Sequence, residues 1–352
     1  MMRHTQSQLK REGFKMTKKE ITIMESLRRQ GISRRSFLKF CAVTASMLAL
    51  PASERFIFSR ALAESSRPSV IWLHFQECTG CTEAITRSFD PTLENLILNM
   101  ISLEYHETLM AAAGEHAEHN LEHAIEAGGY VLIVEGSLSE RDGWCTIGNK
   151  NSTQHLYEAM QHAGLVIAVG TCAAYGGLPK ASPNPSDAIS VGELMDQGRV
   201  PNKPLINLPG CPPVPEVITG AIAHYLAYGA APELDELRRP LCFYGRTVHD
   251  RCPRKGSYNA GKFAETFDDE GARKGWCLLH LGCKGPETYN ACSVLGWNGR
   301  TSSPMHTGHG CIGCSQPDFW DRWGIDGGVY TNLEEREKPP GHHSHKHNKH
   351  QS

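Results

Sequence analysis

From Val70 to about Ala231 the chain alternates short apolar runs with amphipathic stretches. The runs at Val70–Phe75, Tyr130–Val134, Leu165–Val169 and Pro204–Leu208 are rich in β-branched residues and read as strands. Helix-length segments near 92–110, 115–127, 151–163 and 215–228 separate them. This alternation predicts an α/β domain on a doubly wound parallel sheet. Beyond Pro240 the periodicity fades, so a second, smaller and irregular domain is expected.

A different pattern precedes the first strand. Residues 1–63 hold 13 Lys/Arg against 4 Asp/Glu, whereas the other 289 hold 23 against 34. Ser33-Arg34-Arg35-Ser36-Phe37-Leu38-Lys39 leads into an apolar run from Phe40 to Leu50, and Ala61-Leu62-Ala63 follows. Twin arginine, modest apolar region and small-residue cleavage site, in that order, describe a Tat export signal over 1–63. The run of about 11 residues falls short of the roughly 20 that cross a bilayer. Tat carries folded proteins, so the pattern predicts delivery to the periplasmic side with any cofactor already inserted.

Thirteen cysteines and 34 glycines stand out in 352 residues. A chain 40% hydrophobic and 21% charged is globular, and a net charge of −2 excludes a strongly basic nucleic-acid binder. Export ordinarily favours disulfides; folded export favours metal-bound thiolates for the twelve cysteines beyond residue 63. Three predicted strands end into Glu77-Cys78-Thr79-Gly80-Cys81, Gly170-Thr171-Cys172 and Pro209-Gly210-Cys211-Pro212-Pro213. Four thiols thus meet at the carboxyl edge of the sheet, where such folds bind ligands.

A helix starting near Thr82 would aim its dipole at Cys81 and favour the thiolate. Glycines 80, 170, 176, 177 and 210 let the backbone approach a bulky inorganic group. Four thiolates suit zinc or a [4Fe–4S] cluster, and a spread of 134 residues favours the cluster. The segment after Pro240 adds His249, Cys252, Cys277, Cys283, Cys292, Cys311 and Cys314. Seven donors exceed one centre, so two are implied, and spacing alone leaves their division open. Metal centres would hold the loops of such a domain in place.

As a set, Glu-Cys-Thr-Gly-Cys (77–81), Gly-Thr-Cys (170–172), Pro-Gly-Cys-Pro-Pro (209–213), His-Asp-Arg-Cys (249–252), Gly-Cys-Lys-Gly-Pro (282–286) and Gly-His-Gly-Cys-Ile-Gly-Cys (308–314) carry a resemblance. From about Val70 to Asp326 the chain resembles the small, electron-transfer subunit of nickel–iron hydrogenases. The resemblance implies a flavodoxin-like domain over 64–235 and an iron–sulfur domain over 236–330. It assigns Cys78, Cys81, Cys172 and Cys211 to a proximal [4Fe–4S] cluster. His249, Cys252, Cys277 and Cys283 match a distal [4Fe–4S] cluster, and Cys292, Cys311 and Cys314 a medial [3Fe–4S] cluster. Pro304 stands where a fourth medial ligand would sit, and a prolyl ring cannot bind iron. Neutral His249 in place of a thiolate would raise the distal potential.

The implied function is to relay electrons from a nickel–iron centre, in a large-subunit partner, to an external acceptor such as a cytochrome or membrane redox subunit. Oxygen-tolerant relatives carry extra cysteines near the proximal cluster. Here Gly80 and Gly177 occupy the candidate positions, so an oxygen-sensitive enzyme is expected. No apolar run after Trp276 predicts a membrane anchor, so attachment would come from a partner.

Other residues invite chemistry and mostly have plainer readings. Cys145 and Cys242 read as small buried hydrophobes rather than a disulfide. Glu77, beside Cys78, is a candidate proton relay, although an acid at a strand end is often only hydrogen-bonded. His116, His119 and His123 share a helical face among glutamates and read as solvated. His342, His343, His345, His347 and His350 form a polar tail over 331–352 that is expected to be disordered. Competing functions are a ferredoxin-like carrier, the cluster subunit of another redox complex, and a non-redox protein with zinc or disulfide staples.

Overall fold

Five parallel strands form the central sheet of the computed structural model, which describes residues 21–89, 91–139 and 141–322. They are β1 (Ser69–His74), β2 (Ser102–His106), β3 (Val131–Glu135), β4 (Leu165–Val169) and β5 (Leu205–Leu208), in the order β2-β1-β3-β4-β5. Side chains alternate across a strand, so the two faces feed separate cores. Val70, Trp72, Ile133, Ile167 and Ile206 pack with Val217, Ile218 and Ala221 of helix Pro215–Tyr228. Ile71, Leu73, Leu132, Val134 and Val166 pack with Leu121 of helix Glu115–Ala127 and Leu156 of helix Ser152–Met160. Helices on both faces make the sheet doubly wound, as the alternation predicts.

The expected helix over 92–110 is corrected. Only residues 93–100 are helical, as Leu93–Asn95 continued by a π-turn at Leu96–Met100, and the chain then extends into β2. The apolar run before it masks the period-two pattern of Ser102, Leu103, Glu104 and Tyr105. As an edge strand β2 pairs with β1 alone, so its polar side chains are tolerated.

Helices Ile23–Arg29, Arg34–Met47 and Ala52–Glu64 precede β1. Their Leu27, Phe37, Phe40, Phe58 and Leu62 join the core around helix Pro215–Tyr228, and the Ser65 hydroxyl donates to the Leu226 carbonyl at 2.6 Å. Arg34 and Arg35 open the second helix and are exposed. Ala61-Leu62-Ala63 lies near the end of the third, with Leu62 fully buried.

After Pro240 regular structure fades, as expected. The longest helix there among the described residues is Lys255–Asn259, and isolated bridges such as Thr247–Tyr289 and Phe263–Cys277 tie the loops. Among the described residues no helix is long and apolar enough to cross a membrane. The histidine tail and the expected boundary at residue 330 lie outside the described residues.

Candidate metal centres

β1, β4 and β5 end at one edge of the sheet, and the segments leaving them carry the cysteines, Cys78 and Cys211 on loops, Cys81 in helix Gly80–Thr86 and Cys172 in helix Gly170–Tyr175. Burial pushes the Cys81 thiol well up, and Glu135 with the other three thiols pushes it further. Burial likewise raises Cys172 to about 11 and Cys211 to about 12. Glycines admit the sulfurs: a Cβ on Gly170 would fall 2.5 Å from Cys81 Sγ, one on Gly177 2.5 Å from Cys172 Sγ, and one on Gly80 3.0 Å from Cys78 Sγ. Cys78 itself is exposed.

The expected dipole effect on Cys81 is overturned. Helix Gly80–Thr86 starts at Thr79, which sits at φ 60°, and the Cys81 and Thr82 amides donate to Glu135 Oε1 at 3.0 and 3.2 Å. Those amides serve a carboxylate, and burial governs the thiol. Glu135 Oε2 accepts from the Thr82 hydroxyl at 2.6 Å and Trp72 Nε1 at 3.1 Å, with His74 Nε2 at 3.2 Å. Sequence reasoning missed Glu135; its signal is an acid closing the apolar run Val131–Val134.

The same network includes His106, whose Nε2 lies 3.4 Å from the Thr82 hydroxyl. Its Nδ1 accepts the Thr108 and Leu109 amides, each at 3.3 Å, so that nitrogen carries no proton, and burial lowers the ring's pKa to about 3. Burial, reinforced by Glu135, raises the carboxyl of Glu77, one oxygen of which is buried without a partner.

A second group lies in the irregular domain. His249, Cys252, Cys277 and Cys283 line one cavity. Burial, then Lys255, lowers the pKa of His249, which keeps its imidazole neutral and able to ligate. Cys292, Cys311, Cys314 and Pro304 line another cavity, with Pro304 at the start of helix Pro304–Thr307. Cys211 lines this second cavity as well.

Backbone amides face the sulfurs: Arg254 to Cys252 at 3.5 Å, Gly313 to Cys311 at 3.4 Å, and Leu178 to Cys172. One such bond joins two of these groups, the Cys311 amide donating to Cys283 Sγ at 3.3 Å. Burial raises the Cys314 thiol pKa, and the Cys211 backbone beside that thiol lowers it. Thr171 braces this contact, its hydroxyl accepting the Gly210 amide at 2.9 Å and donating to the Cys314 carbonyl. Among the described residues no three His, Cys, Asp or Glu side chains close on a single ion.

All thirteen cysteines are free. Cys242 packs against the core on one face of the sheet and Cys145 against the other, which separates them and leaves both as small apolar side chains. His116, His119 and His123 are exposed on helix Glu115–Ala127.

Two families match the chain: "NADH ubiquinone oxidoreductase, 20 Kd subunit" over residues 78–225, and the C-terminal region of "NiFe/NiFeSe hydrogenase small subunit" over 244–325. The second covers the irregular domain, and relatives 46–47% identical over 84–89% of the chain decide between them. The chain belongs to the nickel–iron hydrogenase small-subunit family. The uptake hydrogenase small subunit of Afipia carboxidovorans is 47% identical over 318 residues, covering 89% of this chain and 84% of the relative. The quinone-reactive Ni/Fe-hydrogenase small chain of Wolinella succinogenes is 46% identical, covering 85% of this chain and 84% of the relative. The periplasmic [NiFe] hydrogenase small subunit 1 of Nitratidesulfovibrio vulgaris is 47% identical, covering 84% of this chain and 93% of the relative. Among solved structures, the reduced, active Ni-Fe-Se hydrogenase of Desulfomicrobium baculatum superposes with a TM-score of 0.70 at 32% identity, covering 76% of this chain and 100% of the other.

This small subunit is the electron-transfer half of a nickel–iron hydrogenase and works only with a large subunit. Its family implies iron–sulfur clusters, and buried, mutually repelling thiols with N–H donors aimed at sulfur fit such a group.

Gly170→Ala is expected to strip iron from the purified heterodimer, because its methyl meets Cys81 Sγ at a φ of +87°. Gly198→Ala, equally left-handed (φ +69°) but in open space, should keep it. Colorimetric iron and acid-labile sulfide assays on both variants check this.

His106 has a folded-state pKa below its ordinary value. Its contribution to stability is therefore complete above about pH 6.5 and is lost as pH falls toward about 3. Thermal midpoints should fall more steeply on acidification for the wild type than for His106→Asn; parallel slopes would refute this.

Proposed function

We propose that this protein relays electrons through three iron–sulfur centres held by the three sets of donors. Cys78, Cys81, Cys172 and Cys211 hold a proximal [4Fe–4S] group. Cys292, Cys311 and Cys314 hold a medial [3Fe–4S] group, with Pro304 closing the position of a fourth ligand. His249, Cys252, Cys277 and Cys283 hold a distal [4Fe–4S] group. When bound, these groups supply one-electron carriers for H₂ ⇌ 2H⁺ + 2e⁻, whose bond-breaking step belongs to the large subunit.

One observation carries the reading: the groups adjoin in order, Cys211 lining the cavity of Cys292, Cys311 and Cys314, and the Cys311 amide donating to Cys283 Sγ at 3.3 Å. A ferredoxin-like carrier needs no such ordered line ending on an exposed thiol. The exposure of Cys78 supports packing of the large subunit against the face that carries it. Glu77, on that face with a raised pKa, is placed to hold a proton arriving from the partner. The irregular domain over 236–330 presents the distal end to an external acceptor, a cytochrome or membrane redox subunit.

Export by the Tat route to the periplasmic side completes the proposal, with 1–63 as signal and 64–235 as the sheet domain. Exposed Arg34 and Arg35 at the start of a helix support it, as does the relative named periplasmic.

The test is metal analysis and EPR on the heterodimer. About 11 iron atoms per chain are expected, from two four-iron centres and one three-iron centre, with a [3Fe–4S] signal after oxidation. Colourless protein, or oxidised protein without that signal, would overturn the assignment. With glycine at 80 and 177, hydrogen oxidation is expected to stop in air; sustained aerobic turnover would refute the four-thiolate proximal site.

A further inference from the structure

Glu135 is 1% exposed, closes β3 beside the thiol-bearing loops, and belongs to none of the donor sets. Two backbone amides and an indole N–H point at its oxygens, and these groups can only donate. The Thr82 hydroxyl and His74 complete the shell. A shell made of donors is the environment of a carboxylate. The anion reaches the cysteine-bearing segment directly, because one of those amides is that of Cys81 in helix Gly80–Thr86, at 3.0 Å.

We propose that Glu135 is a positioning residue of the proximal centre, a fixed buried anion that holds Cys81 by its backbone and lowers the reduction potential of the group bound there. The proposal rests on the assignment of Cys78, Cys81, Cys172 and Cys211 made above. Adding an electron makes an anionic cluster more negative, and a nearby negative charge opposes it. Inside the protein little water screens that repulsion. The hydrogen bonds to Cys81 and Thr82 also fix how far the charge stands from the sulfur. Neither effect requires contact with substrate.

The experiment is an EPR-monitored redox titration of the purified heterodimer carrying Glu135→Gln. The proximal reduction equilibrium should shift toward the reduced form by about tenfold, or roughly 59 mV upward for one electron. Medial and distal potentials should stay in place. Glu193→Gln removes another carboxylate, one that caps helix Val191–Asp196 and pairs with Lys180, and should move no potential. An iron-replete Glu135→Gln enzyme with an unchanged proximal potential overturns the proposal, and so do equal shifts at all three centres.

If the Gln variant fails to bind iron, Trp72→Phe decides. It deletes one donor and leaves the anion less compensated, so the proximal potential should fall; no change or a rise overturns the proposal. Cys172→Ala, analysed in parallel, separates this inference from the reading beneath it. If iron content and the proximal signal survive that change, the ligand assignment fails. If they are lost while Glu135→Gln leaves the potential alone, only the role of Glu135 fails.

Discussion

Ten thiols are gathered beside the sheet edge and in the irregular domain, and burial makes most of them poor acids. Thiolates crowded in low dielectric are tolerable only against positive charge, which iron supplies. Much of the molecule answers that constraint. Glycines at 170 and 177 leave no room for a side chain beside sulfur, and amides of Leu178, Arg254 and Gly313 turn toward it. The scarcity of regular structure after Pro240 has the same origin, since ligation can hold loops that a small apolar core cannot.

Legibility in the sequence followed the strength of the local signal. Buried strands such as Leu165–Val169 announce themselves, because every residue is apolar and both ends are marked. β2 did not, because an edge strand satisfies one neighbour and keeps polar residues that break the run. The thiols at the sheet edge were legible from strand ends alone. The meeting of His249, Cys252, Cys277 and Cys283 at one cavity was not, since it depends on which loops come together and not on spacing. Glu135 escaped for a related reason: its importance lies in donors from Trp72, His74, Cys81 and Thr82, which meet only after β1 and β3 pair.

The N-terminal helices are exposed at one end and buried along one face. Arg34 and Arg35 open the second of them in solvent, as the proposed export signal would require. The apolar residues that follow them would be a liability in water, and Phe37, Phe40, Phe58 and Leu62 meet that by joining the core beside helix Pro215–Tyr228. Their removal would leave that helix with fewer apolar neighbours. Leu62, within the Ala61-Leu62-Ala63 triplet, is itself fully buried in that core.

Main-chain amides and one hydroxyl tie the cysteine-bearing segments together. Cys211 lines the cavity of Cys292, Cys311 and Cys314, and the Cys311 amide donates to Cys283 Sγ at 3.3 Å. Thr171 braces the first contact, its hydroxyl accepting the Gly210 amide and donating to the Cys314 carbonyl. A backbone N–H survives every substitution except proline, so the second contact is kept by chain geometry, whereas the first depends on one hydroxyl. Under the proposed relay, the order of the centres would rest on the backbone, while the charges around them would stay open to side-chain change.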